Sequence, residues 1–203
     1  MNIFRLFLLL PIAIFSHKLY PSETTPLLRK IHQSMTFKEL DPNNHEEIAG
    51  ICTIFRDPKV QDKTGIEDYT KMENYIEREL NYARRFILCK TPNNTVSGVL
   101  KLKEDFKESV AAYETIAVHK DYRKQGVASA LLQTTENHFL APSICLVHLQ
   151  VQYNNTKAVC CYKKHGFKSN PGAQLSSSLL SKICPCFSPV TFGMFKMVEP
   201  KEL

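Results

Sequence analysis

The chain has 203 residues, of which 43% are hydrophobic and 10% aromatic, so it can bury a packed core and does not have the composition of a disordered protein. Its 26 Lys and Arg residues outnumber its 20 Asp and Glu residues, and the net charge of +6 favours anionic ligands. Because the basic residues are interspersed with acidic ones and form no stripe, nucleic acid is not expected as a partner.

Residues 1–34 are expected to form a hydrophobic segment and a linker ahead of a domain spanning 35–203. The apolar run from Ile3 to Phe15 is interrupted twice and is short for a membrane span. It has the length of a signal-peptide core, although no Ala-x-Ala cleavage pattern follows. Two interpretations stay open: a targeting or anchoring segment, and an extension ahead of a start at Met35. Membrane contact is expected only through residues 1–16.

The seven cysteines are odd in number and show no spaced disulfide framework, which favours a reducing compartment. The pair in Cys184-Pro-Cys186 is of a kind that binds metals, but no second pair is spaced to complete four ligands. The sequence therefore predicts no metal site. The expected localisation is cytoplasmic, with targeting or anchoring through the N-terminal segment as the alternative.

Hydrophobic periodicity and turn residues predict eleven elements in the order β-α-α-β-β-β-α-β-α-β-β, which is an α+β pattern with a mixed sheet. The predicted elements are a strand at 35–40, helices at 48–55 and 66–80, strands at 86–89, 96–102 and 111–118, a helix at 125–139, a strand at 144–151, a helix capped by Asn154 or Asn155 and ending near 165, a strand from 166 and a strand at 191–198.

The segment between Tyr113 and Leu132 has the pattern of an anion site. An apolar strand ends at Val118, a basic turn follows, and Gly126 precedes a helix. The first N–H groups of a helix have no partner inside it, and a glycine lets the backbone approach a ligand closely. Basic side chains in the turn add contacts suited to phosphate oxygens. The segment therefore predicts a site for a pyrophosphate group.

Two motifs carry a family resemblance. Arg123-x-x-Gly126-x-Ala128 follows a strand, and Asn155-x-x-Ala158-x-x-x-Tyr162-x-x-x-Gly166-Phe167 follows at the expected distance. Together and in this order they resemble the Gcn5-related N-acetyltransferase (GNAT) superfamily over roughly residues 35–200. The resemblance implies a mixed, mostly antiparallel central sheet flanked by helices, the GNAT-like acyl-CoA N-acyltransferase fold. The departure from the motif is Ala128, where glycine is also common.

The resemblance implies that acetyl-CoA binds as the acyl donor and that no metal takes part. The pantetheine arm is expected in a gap between the fourth and fifth strands, beside the backbone of Ile116 and Val118. The residues expected to bind acetyl-CoA are Ile116, Val118, Arg123, Lys124, Gln125, Gly126, Val127, Ala128 and Asn155.

The implied reaction is direct transfer of an acetyl group to an amine, without a covalent enzyme intermediate. Tyr162 is expected to donate a proton to the departing thiolate or to orient the sulfur; packing between helix and sheet is the alternative. Glu114 is the candidate base, directly or through water, and a structural carboxylate is the alternative. His119 is a weaker candidate, and His165 is expected to pack at the end of its helix.

The acceptor amine stays open between a small molecule and a protein or peptide. Residues 169–189 replace a short hairpin and could be a lid over the acceptor site or an unstructured insert. The alternative function is a catalytically weak acyl-CoA-binding or regulatory module on the same fold.

Overall fold

A computed structural model describes residues 34–64, 72–169 and 191–199 of the chain. The seven strands are β1 Thr36–Glu39, β2 Arg85–Lys90, β3 Val96–Asp105, β4 Val110–Val118, β5 Leu146–Gln152, β6 Lys168–Ser169 and β7 Thr191–Met197. Within these ranges, five α-helices have described bounds: α1 His45–Phe55, α2 Pro58–Thr64, α3 Met72–Asn81, α4 Val127–Thr134 and α5 Thr156–Lys164. A 3₁₀ turn at Lys120–Tyr122 precedes α4, and a π turn at Thr135–Phe139 follows it.

The seven strands form one sheet in the order β1-β2-β3-β4-β5-β7-β6. Every neighbouring pair is antiparallel except β4 and β5, which run parallel. The predicted fold class, a mixed and mostly antiparallel sheet flanked by helices, is confirmed.

The one parallel pair comes apart along its length. β4 and β5 are paired only from Val110 with Leu146 to Tyr113 with Leu149, although both strands continue. At the same place Lys101 pairs with Thr115 and Leu102 with Tyr113, so Glu114 is the extra residue of a β-bulge. A bulge bends its strand and strengthens the local twist. The second half of β4 therefore leaves β5, and a gap opens in the middle of the sheet.

Each face of the sheet carries its own hydrophobic core. On one face, α4 contributes Val127, Leu131 and Leu132, and α5 packs alongside with partly buried side chains. On the other face, α1 and α3 cover β2, β3 and the end of β4 with side chains such as Phe55 and Ile76, both fully buried. Because both faces are covered around β4, its backbone is held between two packed layers.

Buried Glu47 ties α1 to the edge of the sheet. Its Oε1 accepts hydrogen bonds from Lys90 at 2.7 Å and from Lys38 at 2.9 Å, and its side chain is 1% exposed. Burial by itself raises the pKa of this carboxyl, but the hydrogen bonds from Lys90 and Lys38 outweigh burial and lower it. Glu47 is therefore an ionised group that the fold requires.

The structure corrects several predicted element bounds. The helix expected from residue 125 begins at Val127, because Lys124 and Gly126 have φ values of 63° and 88° and cannot be helical. Its last part is the π turn, whose end is held by a hydrogen bond of 2.9 Å from Arg85 Nη1 to Phe139 O. The strand expected from Gly166 begins at Lys168, since Gly166 has φ 84°.

One helix was missing from the prediction. α2 begins at Pro58, directly after Asp57, whose Oδ1 accepts a hydrogen bond of 2.8 Å from Lys59 N. A capping aspartate followed by proline at the first helical position is a readable start signal. The predicted helix at 66–80 corresponds to α3, Met72–Asn81, and residues 65–71 lie outside the described part of the chain.

The predicted N-terminal segment and most of the 169–189 connection, with its Cys184-Pro-Cys186 sequence, lie outside the described residues. Within 34–64, 72–169 and 191–199, none of the helices has the length and hydrophobicity to cross a membrane. The five cysteines in these ranges are free thiols.

Candidate acyl-CoA and acceptor site

The turn between β4 and α4 is built from two left-handed residues and a set of local hydrogen bonds. His119 N donates to Ser97 O at 2.9 Å, and His119 Nδ1 accepts from Asp121 N at 3.4 Å, so the start of the turn is tied to β3. Lys124 and Gly126 then reverse the chain into α4. Gly126 is the N-cap residue and no side chain caps the helix. The first N–H groups of α4 therefore face the space in front of the turn.

That space is a cavity of about 620 Å³, here called the turn cavity. Among its described lining residues are Arg123 and three lysines, Lys124, Lys157 and Lys164, and no acidic side chain. A helix N-terminus surrounded by lysines stabilises negative charge from two directions. The donor set fits a pyrophosphate group, as the sequence motif predicts.

Arg123 lines the turn cavity and also makes contacts within the protein. Its Nε donates to Val118 O at 3.1 Å, and its Nη2 lies 3.0 Å from Asp57 Oδ2. The guanidinium thus joins the turn to the start of α2. Its expected contact with the phosphates of acetyl-CoA stays a prediction.

The other predicted residues of the turn divide into two groups. Lys124, Gly126, Val127 and Ala128 line the turn cavity. Gln125 lines neither this cavity nor the one beside β4, because its Nε2 donates to Asp121 O at 2.7 Å and closes the turn on itself.

A second cavity, of about 550 Å³, occupies the gap where β4 leaves β5; it is called the strand cavity. The whole of β4 from Tyr113 to Val118 lines it, including the predicted residues Ile116 and Val118. Val118, Arg123 and Lys157 line both cavities. The two spaces therefore adjoin and form a groove that runs from the lysines to the bulge at Glu114.

Tyr162 reaches the strand cavity from α5. Its ring packs 6.0 Å from that of Phe167, which in turn lies 6.2 Å from the ring of Tyr113. Burial, followed by the charge of Cys161, raises the pKa of the Tyr162 phenol far above 10, so it is protonated at every physiological pH. The packing expected as the alternative for Tyr162 is present, and the residue also lines the strand cavity, while its role toward the sulfur stays a prediction.

Glu114 also lines the strand cavity, but it belongs to an ion-pair network on the α3 side. Its Oε2 lies 3.1 Å from Lys101 Nζ and 3.5 Å from Arg84 Nε. Lys101 Nζ also donates to Tyr75 Oη at 2.8 Å and to Glu79 Oε2 at 2.9 Å. Burial by itself lowers the pKa of Lys101, but the hydrogen bonds that its ammonium donates to Tyr75 and Glu79 outweigh burial and raise it, so Lys101 stays positively charged.

Asn155 caps α5, as predicted, with its Oδ1 accepting from Ala158 N at 3.3 Å, and it also lines the strand cavity.

The two histidines considered in the sequence lie away from the strand cavity. His119 lines a smaller cavity of about 230 Å³ and does not line the strand cavity. His165 ends α5 as expected, and burial lowers its pKa with a contribution from Lys196.

Three lysines of this groove were missing from the sequence prediction: Lys59, Lys157 and Lys164. In the sequence they look like ordinary solvent-exposed lysines, and only the approach of α2 and α5 to β4 brings them to the groove.

In the described ranges, no group of three or more His, Cys, Asp and Glu side chains could hold a metal ion.

Known acetyltransferases are similar to this chain in sequence. Streptothricin acetyltransferase A of Bacillus subtilis is 36% identical over 106 residues, which are 50% of this chain and 56% of that protein, so the match spans about half of each. An acetyltransferase of Yersinia pestis is 28% identical over 105 residues, covering 73% of its own length.

Solved structures show the same fold at low sequence identity. Spermidine N-acetyltransferase from Vibrio cholerae, in complex with CoA and spermine, superposes with a TM-score of 0.62 at 15% identity, covering 81% of this chain and 96% of that one. The PaiA N-acetyltransferase from Thermoplasma acidophilum, in complex with coenzyme A, superposes with a TM-score of 0.58 at 18% identity, covering 81% and 99%.

The sequence model of the acetyltransferase (GNAT) family matches residues 48–167, which is more than half of the chain. This match contains the bulge, the turn and both motifs, and it confirms the resemblance noted in the sequence. The chain belongs to the acetyltransferase (GNAT) family.

Proposed function

We propose that this protein is an N-acetyltransferase that moves an acetyl group from acetyl-CoA directly to an amine. The observation that carries the proposal is the continuous groove, which begins at the uncapped N-terminus of α4 among lysines and ends beside Glu114 and Tyr162. One end suits a pyrophosphate, and the other brings a phenol and a carboxylate to the same cavity. When bound, acetyl-CoA supplies an activated thioester.

The turn would hold the anionic part of the donor. The N–H groups at the start of α4 and the ammonium groups of Lys124, Lys157 and Lys164 all act on negative charge in the turn cavity. Gly126 allows the backbone to approach a ligand because it has no Cβ, and glycine adopts its φ of 88° without strain. The unpaired edge of β4 then offers backbone groups to an extended chain, as an additional strand would use them.

Tyr162 would stabilise the sulfur as it leaves. An ordinary phenol, with pKa near 10, is already a weaker acid than a thiol near 8.5, and burial raises the pKa of Tyr162 further. Complete proton transfer to a free thiolate is therefore uphill, which corrects the expectation of simple acid catalysis. The proposed role is a hydrogen bond from the phenol to the sulfur, strongest when negative charge develops there.

Glu114 would orient the acceptor. Its closest contacts to Lys101 and Arg84 both involve Oε2, which leaves Oε1 outside these ion pairs. We propose that this carboxylate accepts a hydrogen bond from the amine, or from a water bound to it, at the point where β4 and β5 separate. Asn155 supports this end of the cavity by fixing the start of α5.

The proposed site of action is a reducing compartment that contains acetyl-CoA, for which the cytoplasm is the simplest candidate. The five free cysteines of the described part of the chain support this proposal.

The direct test is a transfer assay with the full 203-residue chain. Acetyl-CoA is supplied with a panel of α-amines, lysine side-chain amines, amino sugars and polyamines, and mass spectrometry detects acetylated product. The proposal expects enzyme-dependent acetylation of at least one class. Tight acetyl-CoA binding without transfer to any amine would instead support an acyl-CoA-binding or regulatory module.

A further inference from the structure

The charges around the strand cavity bear on the chemistry of the acceptor. Among the described residues that line this cavity, Glu114 is the single acidic side chain. It is already engaged by Lys101 and Arg84, at 3.1 Å and 3.5 Å. An incoming ammonium group therefore meets a carboxylate whose charge is largely compensated, and the two cations beside it repel a second positive charge.

A positive charge also lines the strand cavity. Lys59 is an exposed residue of α2, and within the described part of the chain its ammonium makes no hydrogen bond or ion pair, although its charge helps to lower the pKa of Asp57. The nearby carboxylate of Asp57 is already paired with Arg123 at 3.0 Å. Unlike Arg123 and Lys157, which line both cavities, Lys59 lines the strand cavity and not the turn cavity.

We infer that the acceptor is an α-amino group with a carboxylate close to it, and that Lys59 binds this carboxylate. The inference rests on the proposed acetyltransferase function. The carboxylate can come from a free amino acid or from an acidic side chain near the N-terminus of a peptide. A polyamine or a lysine side chain lacks the anionic group and arrives positively charged.

The proton chemistry favours the peptide form of this acceptor. At pH 7.5 roughly a third of a peptide α-amine is neutral, compared with about 0.1% of an alkyl amine near pKa 10.4, a difference on the order of two-hundredfold. In a free amino acid the adjacent carboxylate raises the pKa of the amine, so its neutral fraction is smaller than that of a peptide. A neutral nitrogen attacks the acetyl carbon, the new C–N bond forms, and the C–S bond breaks with its electron pair left on sulfur. The proton lost from nitrogen balances the one gained by the thiolate. Such an acceptor needs orientation by Glu114 but no strong base.

The test compares four acceptors at pH 7.5 with the full chain: a free amino acid, a peptide with an acidic second residue, a lysine peptide with a blocked N-terminus, and spermidine. The expected result is a kcat/KM at least tenfold higher for one or both carboxylate-bearing α-amines, and the better of these two identifies the source of the carboxylate. A preference for the lysine peptide or for spermidine overturns the inference but leaves the acetyltransferase function intact. Acetylation of none of the four, while broader panels succeed, also overturns it.

Lys59→Gln examines the carboxylate contact itself. We expect KM for the preferred acceptor to rise about five- to tenfold, as for loss of a hydrogen bond to a charged group, with KM for acetyl-CoA unchanged. The same acceptor with a carboxamide in place of its carboxylate should have a high KM with the wild-type protein. Lys59→Gln should leave that KM unchanged. Lys103→Gln, on the exposed side of β3, is the matched control and should leave both KM values unchanged.

Two results of this second test contradict the assignment. An equal effect of Lys59→Gln on the carboxylate and carboxamide acceptors would show that Lys59 does not recognise the carboxylate. A rise in KM for acetyl-CoA instead of the acceptor would place Lys59 at the donor's phosphates.

Discussion

The side chains to which we assign chemical roles in the groove also have structural contacts. Tyr162 packs against Phe167 while lining the strand cavity, and Glu114 belongs to an ion-pair network while lining the same cavity. Such positions are held firmly, because a change in the side chain's geometry would disturb the core or the network. Rigid placement is what hydrogen bonding to a developing charge requires.

The role of Tyr162 gives the first prediction. In Tyr162→Phe, kcat should fall by about tenfold to a hundredfold, because one hydrogen bond to the leaving sulfur is lost. The dissociation constant for acetyl-CoA should change less than about twofold, since the ring still packs. Steady-state kinetics and titration calorimetry measure the two quantities. Tyr153→Phe, at an exposed tyrosine, is the control. An unchanged kcat in Tyr162→Phe would remove this residue from the mechanism.

The sequence predicts the position of a residue in the site when a motif fixes its type. It does not predict contacts that depend only on which elements lie close together in the fold. Gly126, Asn155 and Tyr162 lie where their motifs predict. The internal contacts of Arg123 with Asp57 and Val118 were not predictable, because they depend on how α2 approaches the turn. The same is true of Lys59 and Lys164.

Elements are positioned by close contacts that tolerate little change. Gly98 on β3 lies directly beneath α4: a Cβ at this position would stand 2.8 Å from Val127 Cγ1 and 3.0 Å from Leu131 Cδ1. Both contacts are shorter than ordinary van der Waals separation. The absence of a side chain at Gly98 therefore sets the distance between α4 and the sheet, and with it the position of the turn.

Gly98→Ala should lower the free energy of unfolding by about 1–3 kcal/mol, since α4 must shift or its side chains must leave their rotamers. Urea denaturation measures the effect. Gly193→Ala, on β7, is the matched control because no atom of the described residues lies within 4 Å of its added Cβ. A loss of stability of the same size in both variants would refute the contact argument.

Helix α1 is fastened to the sheet by the buried carboxylate of Glu47, and this contact should depend on pH. Its folded-state pKa is lowered, so its contribution is complete above the ordinary value of 4.5 and is lost as the pH falls through the folded-state value. Glu47→Gln leaves Lys38 and Lys90 without their counter-ion and should cost about 3 kcal/mol at pH 7.

The difference between wild type and Glu47→Gln should therefore narrow progressively below pH 4.5. Denaturation curves at pH 7, 5 and 4 provide the measurement, and the exposed neighbour Glu46 supplies the control variant Glu46→Gln. A difference that stays constant with pH would argue against an ionised Glu47.

The sequence predicts most of the order of helices and strands, but it does not predict the residues at which several of them begin and end. Alternating and helical hydrophobic patterns located all seven strands, because both faces of the sheet are buried. The helix α2 was missed although Asp57 and Pro58 mark its start. The π turn after α4 could not be foreseen, since it depends on Arg85 reaching Phe139 O from β2.

Across the whole molecule, one irregularity in the sheet organises the site. The bulge at Glu114 bends β4 away from β5, the gap becomes the strand cavity, and the end of β4 leads into the turn cavity. The two family motifs lie on the two sides of this gap. The fold and the proposed donor site could thus be inferred from the motifs, whereas Lys59 on α2 and the two partners of Glu114, Lys101 on β3 and Arg84 after α3, lie outside both motifs.

The central claim is that the groove binds acetyl-CoA with its pyrophosphate at the turn. The most direct measurement is calorimetric titration of the full chain with acetyl-CoA, beside two variants that fill the turn cavity with bulk and negative charge. Gly126→Glu acts at a position with φ 88°, and Ala128→Glu acts within α4, where no backbone strain is involved. Thermal unfolding establishes that each variant is folded.

Binding of one acetyl-CoA per chain by the wild type, and its loss in a folded Ala128→Glu variant, is the predicted result. Absence of binding by the folded wild-type chain, or undiminished binding by both variants, would contradict the assignment of the groove.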